Sequence, residues 1–332
     1  LELARGAGER SLALRERLLG GDDLDIARTL AVLALVDRLE GKPEAAREVL
    51  ERALAIAGQK GVESGEIGRW INNLGLVASD VGHLAEAELH FRKALAVIER
   101  SEGRESALVA LALDNLGAAL RAQEKRDEAL PVLERALSVV ERSWGVAHFQ
   151  YGTALNSLGS LLLETRRFEE ARERFAAAAA VYREALGPGS PYLVWPVTNQ
   201  GLALLELGRP REALAFFRQA LALRRELYGE EHGQVASSHS DVGLALVALD
   251  DFEGAEAELR LGLDIARRTL EPSSTTLAEQ MVYLADCLVK RRALVEARRL
   301  YEEALPVFAA SFPAGHSSIR HCEEALASLA QK

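Results

Sequence analysis

The sequence predicts an all-α fold, an α-solenoid of stacked antiparallel helix pairs, because small residues recur at a fixed spacing along the chain. The first series consists of alanines 42 residues apart, preceded by Ala46 after one step of 41. Two further series follow in register. The three series are Ala87, Ala129, Ala171, Ala213, Ala255 and Ala297; Ala53, Ala94, Ala136, Ala178, Ala220, Gly262 and Ala304; and Gly75, Gly117, Gly159, Gly201 and Gly243. Copies of one supersecondary unit explain this pattern, and stacked units build extended binding surfaces more often than catalytic pockets.

Each repeat contains two segments whose apolar residues recur at helical spacing. Residues 66–80 carry Ile67, Ile71 and Leu74 on one face, and residues 85–99 show the same period. Because this period fits no other regular structure, we expect two helices in each unit. The small residues are expected where the two helices cross closely, since a larger side chain would push the backbones apart.

The joints between units carry helix stop signals. Gly145, Gly187 and Gly229 occupy the same place in successive units, and glycine ends a helix by accepting a left-handed conformation. One joint is irregular, because Pro196 follows Pro191 by five residues. The first helix of that unit is therefore expected to start late or to be kinked.

Composition excludes several classes of partner. The formal net charge of −10 argues against a surface for nucleic acid or an anionic membrane, since both require a basic footprint. The chain has 2 cysteines, too few for a disulfide framework, which predicts a reducing compartment such as the cytoplasm. No apolar run approaches the roughly 18 residues that span a bilayer.

On these residues the chain resembles the tetratricopeptide repeat family. Gly75, Ala87 and Ala94 stand where the family has its small residues, and the next unit repeats them. The 42-residue spacing resembles that of the kinesin-light-chain-like subgroup, as do the joints at residues 13–23 and 221–232. The resemblance implies a right-handed solenoid and a binding module, without specifying what is bound.

Counting units predicts a single solenoid domain over residues 1–332. The expected helix pairs are 24–57, 66–99, 107–141, 149–183, 191–225, 233–267 and 275–309, followed by a capping helix at 317–331. Residues 1–19 match the second helix of a unit whose first helix is absent. We therefore expect the chain to be part of a larger protein.

The resemblance places the first helix of each pair on a concave face, where two polar columns follow from the register. One column contains Asn73, Asn115, Ser157, Asn199 and Asp241, and the other contains Asn72, Asp114, Asn156, Thr198 and Ser240. Asparagine is a mediocre helix former, so its recurrence in mid-helix requires a reason. Recognition is one reason, since an amide offers a donor and an acceptor to the peptide units of an extended ligand. The alternative is that these side chains bond neighbouring helices or face water.

Trp195, Arg69 and Asp241 complete the predicted ligand-binding set. Trp195 is either a ligand anchor or a packing residue against the neighbouring helix. Acidic residues outnumber basic ones on the predicted inner places, which favours a neutral or basic protein or peptide as the partner. The acidic residues are Asp80, Asp114, Glu164, Glu206, Asp241, Glu279 and Asp286, and the basic ones are Arg69, Arg121 and Lys290.

No motif predicts catalysis, and we expect no catalytic residue, metal or cofactor. Cys287, His316, His321 and Cys322 match no zinc-binding spacing, and nothing positions an oxyanion hole beside them. A non-enzymatic peptide- or protein-binding scaffold is the favoured function. The alternative is a sensory or regulatory module, since bacterial proteins of the resembled family are often fused to protein kinases or caspase-like proteases. An enzyme is the least favoured hypothesis.

Overall fold

The computed structural model describes residues 1–330, and this part of the chain contains sixteen α-helices joined by short turns. The chain divides into two compact units, the first spanning Leu1–Thr165 and the second beginning at Arg166. The helices of unit 1 are α1 (Glu2–Leu19), α2 (Leu24–Leu39), α3 (Pro43–Gln59), α4 (Gly65–Asp80), α5 (Leu84–Glu102), α6 (Ala107–Ala122), α7 (Arg126–Trp144) and α8 (Phe149–Glu164). Those of unit 2 are α9 (Phe168–Leu186), α10 (Val194–Glu206), α11 (Pro210–Tyr228), α12 (Gly233–Ala248), α13 (Phe252–Thr269), α14 (Thr275–Lys290), α15 (Leu294–Ser311) and α16 (Ser317–Ala330).

The all-α prediction is confirmed, and the helix ends lie close to the expected ones. The second helices run two or three residues further than the periodicity suggested, as in α5, which ends at Glu102. The capping helix was expected to reach residue 331, which lies outside the described residues. The assignment of residues 1–332 to a single solenoid domain, and of residues 1–19 to a truncated repeat, stays a prediction.

Close crossing of the two helices in a pair depends on glycine. A Cβ built on Gly75 in α4 would lie 2.5 Å from Cε1 of Phe91 in α5, and one on Gly117 would lie 2.3 Å from Cδ2 of Leu133. Real Cβ atoms do not approach other atoms so closely. Gly201 is placed in the same way against Phe217 in unit 2. The predicted role of this glycine series is therefore confirmed within both units.

The joints follow the stop signals read from the sequence. Gly145, Gly187 and Gly229 end their helices with φ near 80° to 87°, as glycine permits. The irregular joint is also resolved, because Pro191–Leu193 form a 3-10 turn and α10 starts only at Val194. Pro196 then lies in the first turn of α10, where its missing N–H breaks no helical hydrogen bond.

Several pairs of successive first helices contact each other within a unit. In unit 1, α2 contacts α4, α4 contacts α6 and α6 contacts α8, and in unit 2, α12 contacts α14. We use the term first-helix wall for one side of α2, α4, α6 and α8 in unit 1, and of α10, α12 and α14 in unit 2. It is the side that carries the two polar columns on α4, α6, α8, α10 and α12, and the equivalent residues on α2 and α14. Within the described residues no helix is sufficiently long and apolar to span a bilayer.

The crossing at Gly117 predicts that Gly117→Ala destabilises the protein by about 1–3 kcal/mol, because the added methyl group overlaps the buried Leu133 side chain. The free energy of unfolding from urea titration measures this. Gly58→Ala is the matched control, since Gly58 is also helical but has no atom within 4 Å of the place where the added methyl carbon would lie. That control should raise stability by about 0.5–1 kcal/mol through helix propensity alone. A stabilising Gly117→Ala would contradict the tight crossing.

Candidate functional site

The side chains of Asn72 on α4 and Asn115 on α6 form a hydrogen bond with each other. The Nδ2 of Asn115 donates to the Oδ1 of Asn72 at 3.0 Å, and Asn72 is buried with 3 % of its surface exposed. Asn72 is therefore enclosed in the helix interface. For this pair the structure matches the alternative interpretation of the columns, in which polar side chains bond neighbouring helices.

The rest of the Asn72 column is also drawn into helix packing. The Oδ1 of Asp114 is buried without a hydrogen-bond partner. Burial raises the pKa of Asp114, against the opposing effects of Ser157 and Arg121. The Oδ1 of Asn156 is likewise enclosed without a hydrogen-bond partner, as is the hydroxyl of Thr198. Because these atoms are shielded from solvent, a ligand could reach them only after side-chain rearrangement.

Asn73 and Asn199 differ from their neighbours in this respect. Both are half-buried on the first-helix wall, Asn73 on α4 and Asn199 on α10. Among the described residues no side chain forms a hydrogen bond with either amide. Their donors and acceptors are therefore available at equivalent places of two repeats.

Arg69 is exposed near the start of α4. It borders a cavity of about 470 Å³ together with Arg28, Glu66 and Trp70. Arg28 and Glu66 join α2 to α4 through an ion pair of 3.1 Å. A polar recess with charges of both signs thus adjoins the predicted binding residue.

Two wall carboxylates of unit 1, Asp80 and Glu164, are neutralised by arginines of neighbouring first helices. Arg38 pairs with Asp80 at 2.5 Å between α2 and α4, and Arg121 pairs with Glu164 between α6 and α8. Such partly exposed pairs contribute little stability, about 0–1 kcal/mol each. Their main consequence is that this part of the wall has little net charge.

In unit 2, Trp195 and Asp241 meet around a buried arginine. Arg224 of α11 is only 3 % exposed, and its guanidinium lies 5.8 Å from the centroid of the Trp195 ring. Its Nη1 lies 3.5 Å from Oδ2 of Asp241 and donates to the hydroxyl of Ser238 at 2.5 Å. Trp195 itself is 55 % exposed. The cluster thus combines a buried ion pair with an accessible aromatic ring.

Burial has the largest effect on the pKa values of Asp241 and Arg224. It raises the pKa of Asp241 to about 6, although Arg224 acts in the opposite direction. Burial also lowers the pKa of Arg224, whose Nε has no hydrogen-bond partner. Both charges are therefore held at some energetic cost, which one additional polar or ionic contact would reduce.

Sequence reasoning missed Arg224, although a signal was present. Its column on the second helices is otherwise apolar, with Ala57, Ile98, Val140, Tyr182, Ala266 and Phe308 at the equivalent places. A lone charge in an apolar column breaks the local rule, and such breaks mark functional or strained sites. The resemblance placed ligand contacts only on first helices, whereas Arg224 lies on a second helix.

An exposed apolar strip on α2 was also missed. Val32, Leu35 and Leu39 lie on the wall side of that helix with roughly half of their surface exposed. In the repeat register these residues lie on the side of the first helix that carries the polar columns in later repeats. The unit 1 wall therefore begins with apolar surface and becomes polar from α4 onward.

The residues considered for chemistry are not arranged for it. Burial raises the pKa of the Cys287 thiol and raises that of Cys322 to about 11, which disfavours the nucleophilic thiolate. His321 lies 2.9 Å from Oδ1 of Asp286, on α14. Residues 1–330 contain no group of three or more His, Cys, Asp or Glu side chains suited to a metal ion. The expectation that no metal or cofactor takes part stays a prediction.

The buried pair predicts a pH-dependent stability change for Arg224→Leu. Removing the cation should cost about 3–5 kcal/mol near pH 7.5, since the carboxylate of Asp241, whose side chain is only 19 % exposed, is left charged without its partner. The pKa of Asp241 should then exceed the value of about 6 it has beside Arg224. A carboxyl whose folded pKa is about 6 or higher is mostly neutral at pH 5, so the loss should be much smaller there. Urea unfolding at the two pH values measures the difference.

The control for this prediction is Arg224→Leu in an Asp241→Asn background. With no ionisable group at residue 241, the effect of the arginine substitution should be the same at pH 5 and pH 7.5. An equally large pH difference in that background would assign the effect to another group and contradict the pairing.

Comparison with known proteins identifies the family. The tetratricopeptide repeat model matches residues 1–59, 66–142, 150–226 and 197–268, and no curated protein matches the sequence. BtubC (BKLC) from P. vanneervenii is 22 % identical over 69 % of this chain and 92 % of its own, with a TM-score of 0.61. A kinesin-light-chain-like repeat protein from Podosopora anserina is 18 % identical over 62 % of this chain and 98 % of its own, with a TM-score of 0.56. The apo quorum sensor NprR from B. thuringiensis is 13 % identical over 92 % and 83 %, with a TM-score of 0.71. The chain belongs to the tetratricopeptide repeat family and is similar to its kinesin-light-chain-like members.

Proposed function

We propose that the chain is a non-enzymatic scaffold whose first-helix walls bind an extended peptide or a segment of a partner protein. Membership in a family of repeat scaffolds supports a protein-binding role. The observation that carries the proposal is the free amide at equivalent places of two repeats, on Asn73 and Asn199. Unused amides that stay half-buried in mid-helix contribute nothing to helix stability, which favours a role in recognition.

An amide suits recognition of a backbone without demanding a particular ligand sequence. Its NH₂ group donates to a peptide carbonyl while its oxygen accepts from a peptide N–H. Asn115 contributes less to this proposal, because its Nδ2 is already bonded to Asn72. Asn72 and Asn156 are proposed to support the wall from inside, since the oxygen of each is enclosed.

Apolar contacts would supply the remaining affinity. The exposed ring of Trp195 offers a broad surface to a ligand side chain, and Arg224 holds the ring from behind. At the other end of the chain, Val32, Leu35 and Leu39 offer a second apolar contact. Isolated exposed apolar residues are common, but a strip of three on one helix face is typical of an interaction surface.

Charge favours a neutral or basic partner. The formal net charge is −10, and the sequence pI is about 5.4. In unit 1 the wall carboxylates Asp80 and Glu164 are paired with arginine, whereas Glu279 in unit 2 pairs with no lysine or arginine of the described chain. An acidic ligand would be repelled there. We accordingly propose neither nucleic acid nor an anionic membrane as the partner.

A regulatory module is the second candidate function. It is favoured by the quorum sensor NprR, whose fold matches 92 % of this chain. In that case ligand binding would alter the relative placement of repeats and control an attached effector, such as a protein kinase or caspase-like protease. The same wall residues would bind the ligand, so the following experiment applies to both functions.

The Asn73→Ala, Asn199→Ala double variant should bind its partner about tenfold more weakly, with its melting temperature unchanged. Each lost amide contact is expected to remove about 0.5–1.5 kcal/mol of binding free energy. The partner would be recovered with the 1–332 protein and narrowed to a short synthetic peptide, whose dissociation constant is then measured by calorimetry.

Asn115→Ala is the matched control, because it leaves the buried Oδ1 of Asn72 without its donor. This variant should lose about 1–3 kcal/mol of stability and bind the peptide nearly as well as the native protein. Unchanged peptide affinity in the double variant would refute the proposed role of the free amides.

A further inference from the structure

A cavity of about 330 Å³ lies among α14, α15 and α16 in unit 2. Its apolar side is formed by Val282 and Phe308, both buried, and its polar side by Glu279, Tyr283 and Asp286. The volume is at the lower end of the range of roughly 300–1,000 Å³ that is typical of ligand pockets. It therefore suits one long side chain better than a folded partner.

The carboxylates of this cavity lack a permanent cation. Burial alone raises the pKa of Glu279, and no lysine or arginine of the described residues pairs with it. Asp286 accepts a hydrogen bond from the hydroxyl of Tyr301 and lies 2.9 Å from Nε2 of His321. Burial, together with the charges of Glu279, Asp241 and Asp286, raises the pKa of Tyr283 to about 12. Of the residues that line the cavity, His321 alone can carry a positive charge, and it faces Asp286 rather than Glu279, so negative charge accumulates at this site.

The cavity differs from the equivalent places of the other repeats. None of the residues that occupy the place of Glu279 in earlier repeats is acidic. They are Arg69, Leu111, Thr153, Trp195 and Ser237. Of the other wall carboxylates, Asp80 and Glu164 each pair with an arginine of a neighbouring first helix, and Asp241 pairs with Arg224 of α11. The cavity combines an apolar recess with a glutamate that pairs with no lysine or arginine of the described chain, an arrangement that suits a cation with an aliphatic stem.

We propose that this cavity binds the side chain of an arginine or lysine in a peptide held on the unit 2 wall, with the stem against Val282 and Phe308 and the charged head beside Glu279 and Asp286. The proposal rests on the proposed function, because the cavity opens on the same wall. A bound cation would compensate the charge of the half-buried Glu279, which has no lysine or arginine partner in the described chain. The aromatic ring of Phe308 would also contact the stem.

The test uses the pentapeptide acetyl-Gly-Gly-Arg-Gly-Gly-amide and its citrulline analogue, which has the same shape without the charge. Titration of the ¹⁵N-labelled 1–332 protein is followed by amide chemical shifts. We expect saturable shifts at Tyr283 and His321 with the arginine peptide, and at least tenfold weaker binding of the citrulline peptide. Glu279→Gln should weaken arginine binding at least fivefold, while its thermal unfolding confirms that it is folded.

Glu302→Gln is the matched control, since Glu302 is an exposed carboxylate on α15. It should bind the arginine peptide as the native protein does. Equal binding of the two peptides, equal binding by Glu279→Gln, or shifts that do not saturate at this cavity would overturn the proposal. Equal affinity for agmatine, a free guanidinium compound, would overturn the assignment to a peptide side chain. The Asn73→Ala, Asn199→Ala variant should bind the pentapeptide normally, so failure here is distinguishable from failure of the proposed function.

Discussion

The structure depends on the close approach of two helices within each repeat, and glycine at one place makes that approach possible. The ring of Phe91 and the side chain of Leu133 occupy the space that a Cβ on Gly75 or Gly117 would need. Gly201 and Phe217 form the same contact between a small and a large residue. Equivalent helices in these repeats therefore pack with the same geometry. Constant packing is what keeps equivalent residues on one side of consecutive first helices. The polar columns exist as structural features only for this reason.

The fold could be predicted largely from the sequence, since its determinants are local and repeated. Glycine at a joint, such as Gly187, takes a positive φ in a place that the spacing identifies. The late start of α10 also followed from the positions of Pro191 and Pro196, although the sequence did not decide between a late start and a kink. The ends of second helices were less predictable, because fraying and capping there depend on which neighbour covers the last turn.

The candidate site was less predictable, since it depends on how side chains of different repeats divide a shared space. Adjacent residues on α4 illustrate this: Asn72 is enclosed and bonded to Asn115, whereas Asn73 stays half-exposed without a side-chain partner. A rotation of one residue along the helix separates the two outcomes, and helical periodicity is too coarse to resolve it. Arg224 reaches Trp195 and Asp241 from a second helix. Only its deviation from an apolar column could have signalled this contact.

The distribution of charge along the walls is better explained by binding than by stability. Exposed ion pairs between repeats, such as Arg38 with Asp80, contribute little energy but cancel charge where they occur. If folding alone governed the sequence, a cationic partner for Glu279 would remove the cost of a half-buried carboxylate without an ion pair. Replacement by an apolar residue, as at Leu111 in the equivalent place, would remove it as well. The retention of an uncompensated charge beside an apolar recess therefore points to a ligand that supplies the missing cation. The proposed preference for basic groups extends to Asp241, because its mostly enclosed carboxylate is only partly balanced by Arg224.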